Sequence, residues 1–129
     1  MRIYLVRHAE AAPGEPDALR PLTEEGDRQA RALGAKLRAE GAPVAVRTSP
    51  LLRARQTGEA IARAAGVVSE PDERLAPGAT AEDIRAIAAE CAGLVALVGH
   101  QPDCWRIAVE LGSGAEPSFP PAGVVALEL

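Results

Sequence analysis

LVALVGHQP, Leu94 to Pro102, is the stretch on which the fold turns. Its first five residues, Leu94 to Val98, are apolar without a break. That is the pattern of a strand covered on both faces, not of one that shows a face to water. The run stops at Gly99-His100, and Pro102 suits the start of a helix, where a missing N–H costs nothing. A strand buried on both faces needs a layer above and a layer below, so the rest of the chain must supply helices to two sides.

The flanking sequence does so. Arg2 to Val6 reads as a short apolar strand (Ile3, Leu5, Val6) that ends at Arg7-His8, and a Pro/Gly/Asp-rich loop follows from Ala11 to Pro21. Thr23 is a good N-cap for a first helix, with Glu24 and Glu25 in the first turn. Ala30, Leu33 and Leu37 form its apolar face at helical spacing, and Gly41 is placed to end it. Val44 to Thr48 is a second strand. Ser49-Pro50 predicts an N-cap and first helical position, for a helix running to about Ala65 with Leu52, Ile61 and Ala64 inward and Gly66 as stop.

Val67-Val68 predicts a brief edge strand, and Asp72 to Ala79 a loop. Thr80 opens a third helix with Asp83 at the capping-box position and Ile84, Ile87, Ala88 and Cys91 along one side. The fourth helix, after Pro102, carries Trp105, Ala108, Val109 and Leu111. A Pro/Gly-rich loop from Gly112 to Pro121 leads to a last strand, Val124 to Leu129. This alternation predicts an α/β fold: a three-layer α/β/α sandwich, helices on both faces of a mostly parallel, mixed sheet.

Composition narrows the function classes. A chain of 129 residues suits one domain with a proper core, spanning 1–129. Aromatics are only 2%, so Ala, Leu and Val must build a finely packed interior. The net charge of −4 argues against a general nucleic-acid or anionic-membrane binder, both of which need a positive face. Lys36 is the only lysine, so any anion site must be a local cluster of arginines. Cys91 and Cys104 are too few for a disulfide framework or a CxxC metal site. No apolar run follows a basic start and none approaches membrane-spanning length, which leads to the expectation of a cytoplasmic protein.

Three polar groups fall where an open α/β sheet places ligands, just beyond the carboxyl ends of its strands. Arg7-His8 follows the first strand, Ser49-Pro50 with Arg53 the second, and Gly99-His100 the central one. The only two histidines of the chain both stand on this rim. Taken singly, each is an ordinary surface or hydrogen-bonded residue. Together they suit phosphoryl transfer, which asks mainly for positioning and charge neutralisation. Arginine pairs bidentately with phosphate oxygens, and the helix start beyond Pro102 adds amide donors.

Four ordered blocks carry a resemblance: LVRHAE ending the first strand, PLTEEGDRQARALGAKL (Pro21 to Leu37), SPLLRARQT (Ser49 to Thr57) and VGHQP (Val98 to Pro102). They resemble the histidine phosphatase superfamily, the phosphoglycerate-mutase-like enzymes, whose first motif is usually RHG where this chain has Ala9. The resemblance implies that His8 is the nucleophile phosphorylated on a ring nitrogen, and that Arg7, Arg53 and His100 enclose the phosphate. It implies no cofactor and no metal. Arg55, Glu10 and Cys104 read as surface, structural or solvated, and buried filler. His8 must attack as neutral imidazole, and His100 is expected to act protonated.

Two features point to a branch. Only 47 positions separate Arg53 from His100, too few for a long helical lid. The acidic general acid of the mutases and phosphomonoesterases, two positions after a Leu, would align here on Leu75 with Pro77, leaving Glu73 and Glu82 as nearby substitutes. Without that acid an alkoxide leaving group loses ~10²–10⁴-fold help, which phosphohistidine needs far less. The chain is therefore similar to the small phosphohistidine phosphatases of the SixA type, including the Arg20 to Thr23 stretch, where Arg20 either touches substrate or staples its turn. The implied partner is a phosphorylated protein with a phosphohistidine-bearing domain. A small phosphate ester acted on by a phosphomonoesterase, and a non-catalytic phosphate-binding module, are the alternatives.

Overall fold

A computed structural model of the chain describes residues 1–112 and 116–129. Five strands form one sheet: β1 (Arg2–Arg7), β2 (Ala45–Thr48), β3 (Ser69–Pro71), β4 (Val95–Gly99) and β5 (Val124–Glu128). Their order is β3-β2-β4-β1-β5, parallel throughout except that β5 runs antiparallel to β1. Helices α1 (Glu24–Gly41), α2 (Leu52–Ala65), α3 (Ala81–Glu90) and α4 (Asp103–Glu110) cover it. Part of the expected loop from Gly112 to Pro121 lies outside the described residues.

The two faces of the sheet follow from the period of two along each strand. Ile3 and Leu5 of β1, with Val95 and Leu97 of β4, point to one side and meet Ile84, Ile87, Ile107 and Cys104 from α3 and α4. Tyr4, Val6, Ala96 and Val98 point to the other and meet Leu33, Leu37, Ala54 and Ile61 from α1 and α2. The continuous apolar run of β4 is thus divided between two cores, and all five of its residues are buried. The three-layer α/β sandwich expected from the sequence is the architecture found.

Small residues let the layers close. A Cβ added at Gly34 of α1 would stand 2.8 Å from the Ala60 carbonyl oxygen, so α1 and α2 touch backbone to backbone. Gly66, at φ 73, ends α2 in the left-handed conformation, and the Thr80 capping box starts α3, both as expected.

Four local expectations are corrected. The edge strand lies at Ser69–Pro71, not Val67-Val68. The turn at Gly66 ties the Val67 N–H to Ala62 O at 3.0 Å, and pairing with β2 begins only at Ser69 opposite Val46. Helix α2 has Leu51 as N-cap, not Ser49, whose N–H still bonds Val98 O in the sheet. On α4, Trp105 and Val109 are exposed while Ile107 and Ala108 face the core. Cys91 is the C-cap of α3 and packs only partly against the core.

Alanine usually stabilises a helix over glycine by ~1 kcal/mol. At Gly58 of α2 the sign reverses, because the new Cβ overlaps Thr48 Cγ2 and stands 2.9 Å from Ser69 Oγ. Gly58→Ala is expected to cost ~1–3 kcal/mol, read as a lower urea midpoint at unchanged slope.

Candidate active site

The register of the parallel strands builds the site. Arg7 lies beside Gly99 across β1 and β4, and Thr48 beside Val98 across β2 and β4. The residues that follow these pairs, His8, Ser49 and His100, therefore emerge together at the carboxyl edge of the sheet. The His8 and His100 ring centroids are 5.2 Å apart, tilted at 59°. His8 is pinned by its backbone on both sides: its N–H donates to Gly99 O at 3.1 Å, and its carbonyl accepts from Ala122 N at 3.2 Å.

The ring of His8 has a defined tautomer. Nδ1 lies 2.7 Å from Ala9 O. A carbonyl oxygen can only accept, so Nδ1 carries the proton and donates, and the lone pair is left on Nε2. Burial holds the His8 pKa below its ordinary value, opposed by the Ala9 hydrogen bond and aided by the charges of Arg53, Arg7 and Arg20. A neutral imidazole with a free Nε2 is what nucleophilic attack requires. Ala9 itself is fully buried, with its N–H on Thr57 Oγ1 at 3.0 Å, so only a small residue fits there.

Arg7 and Arg53 bring two guanidinium groups to the same edge. Arg7 Nη1 donates to Phe119 O at 3.0 Å, while Arg7 Nε is buried with no hydrogen-bond partner among the described residues. Arg53, in the first turn of α2, is buried. Its Nη1 donates to Asp17 O at 2.9 Å and its Nη2 to Asp17 Oδ2 at 3.2 Å. Thr57, one turn on, donates Oγ1–H to Arg53 O at 2.8 Å, which couples the Arg53 turn to the Ala9 backbone.

His100 corrects an expectation. It is 5% exposed, with Nε2 2.7 Å from Ser49 Oγ. Burial first, then the charges of His8 and Arg53, push its pKa down to about 4. In the free protein it is neutral at pH 7, not protonated, because burial in the first place, and nearby positive charge after it, disfavour the imidazolium.

The remaining expected residues divide cleanly. Arg20 staples its loop, Nε to Ala12 O at 2.8 Å and Nη1 to Asp17 Oδ1 at 3.0 Å, and its charge is felt at His8. Arg55 is half-buried, not fully on the surface, and spends Nε on Pro50 O at 3.1 Å. Glu10 is exposed, and its backbone carries the structural contacts, to Gln29 Oε1 and Thr23 N. Cys104 is buried filler: burial pushes its thiol up to about 12, and Sγ–H donates to Val6 O at 3.6 Å.

The loop from Asp72 to Ala79 is anchored at both ends. Asp72 N donates to Thr48 O at 2.7 Å, Leu75 enters the core, and Gly78 N donates to the buried carboxylate of Asp103 at 2.7 Å. Glu73, Pro77 and Glu82 are exposed. No hydrogen bond or ion pair among the described residues joins Glu73 or Glu82 to His8, His100, Arg7 or Arg53.

Three residues of this site escaped sequence reasoning in the part they play. Thr57 was findable, since it stands four positions after Arg53 and so shares its helix face. Ser49 was read as a cap. Asp17 sits in an aperiodic loop with no pattern to mark it.

Comparison with known proteins agrees with the geometry. The sequence profile of the histidine phosphatase superfamily (branch 1) matches residues 3–78. An uncharacterized protein of Picosynechococcus is 34% identical, over 98% of this chain and 84% of that one. The protein histidine phosphatase SixA, solved with tungstate, superposes with a TM-score of 0.87 at 25% identity, covering 100% of this chain and 88% of its own. A candidate phosphohistidine phosphatase SixA from Agrobacterium tumefaciens gives 0.79 at 28% identity, over 98% and 90% of the two chains. A mycobacterial glucosyl-3-phosphoglycerate phosphatase shares the fold at a TM-score of 0.75 and 20% identity, over 98% and 90%.

Both histidines should titrate below 6.5 in the free protein, His100 at about 4, when followed by NMR. The unfolded chain then binds protons first as the pH falls, so stability is full above about 6.5 and declines toward about 4. His100→Gln should flatten that decline. A His100 that titrates at or above 6.5 contradicts this account.

Proposed function

The chain belongs to the histidine phosphatase superfamily, and on that premise we propose that it hydrolyses the N–P bond of phosphohistidine on a protein, through a covalent intermediate on His8. The observation that carries the reading is the His8 tautomer, with Nδ1–H fixed on Ala9 O and the Nε2 lone pair left to attack.

In the proposed reaction Arg7 and Arg53 neutralise the phosphoryl oxygens, and the partnerless Arg7 Nε–H gains an acceptor when the oxyanion arrives. Nε2 of His8 forms a bond to phosphorus as the N–P bond of the substrate breaks, and that electron pair leaves on the substrate imidazole. Its second nitrogen is protonated, so it departs neutral. The Ala9 carbonyl steadies the positive charge then shared by the His8 ring. Water next attacks phosphorus, the electron pair returns to Nε2, and inorganic phosphate carries off the water proton. A bound dianion raises the pKa of His100, which is neutral beforehand, so His100 takes a proton only when there is charge to offset.

Phosphohistidine is favoured over an alkyl phosphate because, among the described residues, no carboxylic acid stands ready to protonate an alkoxide: Asp17, beside Arg53, is held ionised by its hydrogen bonds from Arg20 and Arg53. Pro77 holds the place expected for one, and Glu73 is exposed and joined to none of the four site residues. The likeness to SixA structures supports the same choice. The reading takes a phosphohistidine-bearing protein domain as partner and the cytoplasm as the compartment. The shared fold of the mycobacterial phosphatase keeps a small phosphate ester as the second reading.

A pulse of labelled phosphohistidine peptide should leave an acid-labile adduct on the protein, absent in His8→Ala, which should be inactive. Glu73→Gln should retain nearly all phosphohistidine turnover. A ~10²-fold or larger loss in Glu73→Gln, with faster turnover of a sugar phosphate than of the peptide, would establish the phosphomonoesterase reading instead.

A further inference from the structure

The loop between β1 and α1 folds a single 3-10 turn, Asp17–Leu19, over the site. One side chain of it bridges two arginines. Asp17 Oδ2 accepts from Arg53 Nη2 at 3.2 Å and Oδ1 from Arg20 Nη1 at 3.0 Å, and the Asp17 backbone carbonyl takes Arg53 Nη1 at 2.9 Å. The loop is itself held by Arg20 on Ala12 O and by the Ala12 N–H on Pro21 O at 2.8 Å. Arg53 is 7% exposed, while the Asp17 side chain is 61% exposed. The guanidinium therefore lies inside the site and the carboxylate at its mouth.

This placement sets a fixed negative charge beside the groups that attract the phosphoryl oxygens. Hydrogen bonds from Arg20 and then Arg53 hold the Asp17 pKa below the usual carboxylate range, so the charge persists at neutral pH. It also reaches inward, since it is among the charges that act on His100. A carboxylate offers about four acceptor positions, of which the two arginines take one on each oxygen. The others face water.

We propose that Asp17 is a selectivity residue, whose carboxylate at the mouth favours leaving groups that carry an N–H and disfavours those that depart with negative charge. The proposal rests on the phosphatase reading above and deepens it. In-line attack by His8 Nε2 sends the leaving group outward, toward the mouth. An imidazole leaving from phosphohistidine holds a proton on its second nitrogen, which Asp17 can accept as a hydrogen bond. As the N–P bond breaks, the electron pair neutralises the imidazolium, and no negative charge builds up against the carboxylate. A phenolate or a carboxylate-bearing alcohol leaves as an anion and meets repulsion at the same place.

The test compares two substrates that transfer the same phosphoryl group and need no general acid: phosphohistidine peptide and p-nitrophenyl phosphate, whose phenolate leaves unprotonated. Any disturbance of Arg53 acts on both and cancels in the ratio of their kcat/KM values. Asp17→Asn removes the charge at nearly constant shape, and should shift the ratio about fivefold to tenfold toward p-nitrophenyl phosphate at low salt, the size of one unit-charge interaction across a few ångströms of wet surface. The shift should shrink with added salt, and Asp17→Glu should restore most of the wild-type ratio. An equal loss on both substrates, or an unchanged ratio, means that Asp17 only holds the loop and overturns the proposal. Wild-type protein that turns over neither substrate and forms no adduct overturns the phosphatase reading first, and this proposal with it.

Discussion

The parallel pairing of β1 with β4 is the constraint on which the site depends. It joins strands separated by most of the chain, and its last rung sets Arg7 against Gly99. The His8 N–H then bonds Gly99 O, as if the ladder ran one residue further. Two histidines distant in sequence thereby come within 5.2 Å between ring centroids. A Cβ at Gly99 would meet only Cys104 Sγ at 3.8 Å, an ordinary contact, so neither a close neighbour among the described residues nor a strained turn demands glycine at this rung.

Charge economy follows from that proximity. The chain is acidic overall, yet its site holds two guanidinium groups and two imidazoles within a short distance. Both imidazoles remain neutral because burial and the arginines oppose protonation together. This leaves all resident positive charge on arginine, which cannot lose it, and keeps a nucleophilic lone pair available at neutral pH. Asp17 tempers the cluster at its open side, where it links the first loop to the first turn of α2.

Much of this was legible in the residues. The unbroken run from Leu94 to Val98 required two covered faces, and the structure divides its side chains and those of Ile3 to Val6 between two cores. Thr23, Thr80 and Gly66 marked helix ends by local chemistry that acts within one turn. The positions of Arg7, His8, Arg53 and His100 on one edge followed from strand direction. Where local reading erred, a distant partner had intervened. Ser49 has the composition of a cap but stays in the sheet through Val98 and meets His100 instead. Val67 and Val68 have strand propensity but are held by the turn at Gly66.

By itself, then, the sequence determined the layers, the strand ends and the residue types gathered at them, since periodicity and capping act over a few residues. Only the tertiary structure decided which nitrogen of His8 is free, that His100 is neutral, and that Asp17 holds Arg53. Those are properties of hydrogen-bond geometry and burial. They depend on atoms brought close by folding, and no pattern along the chain encodes a distance of three ångströms between residues many positions apart.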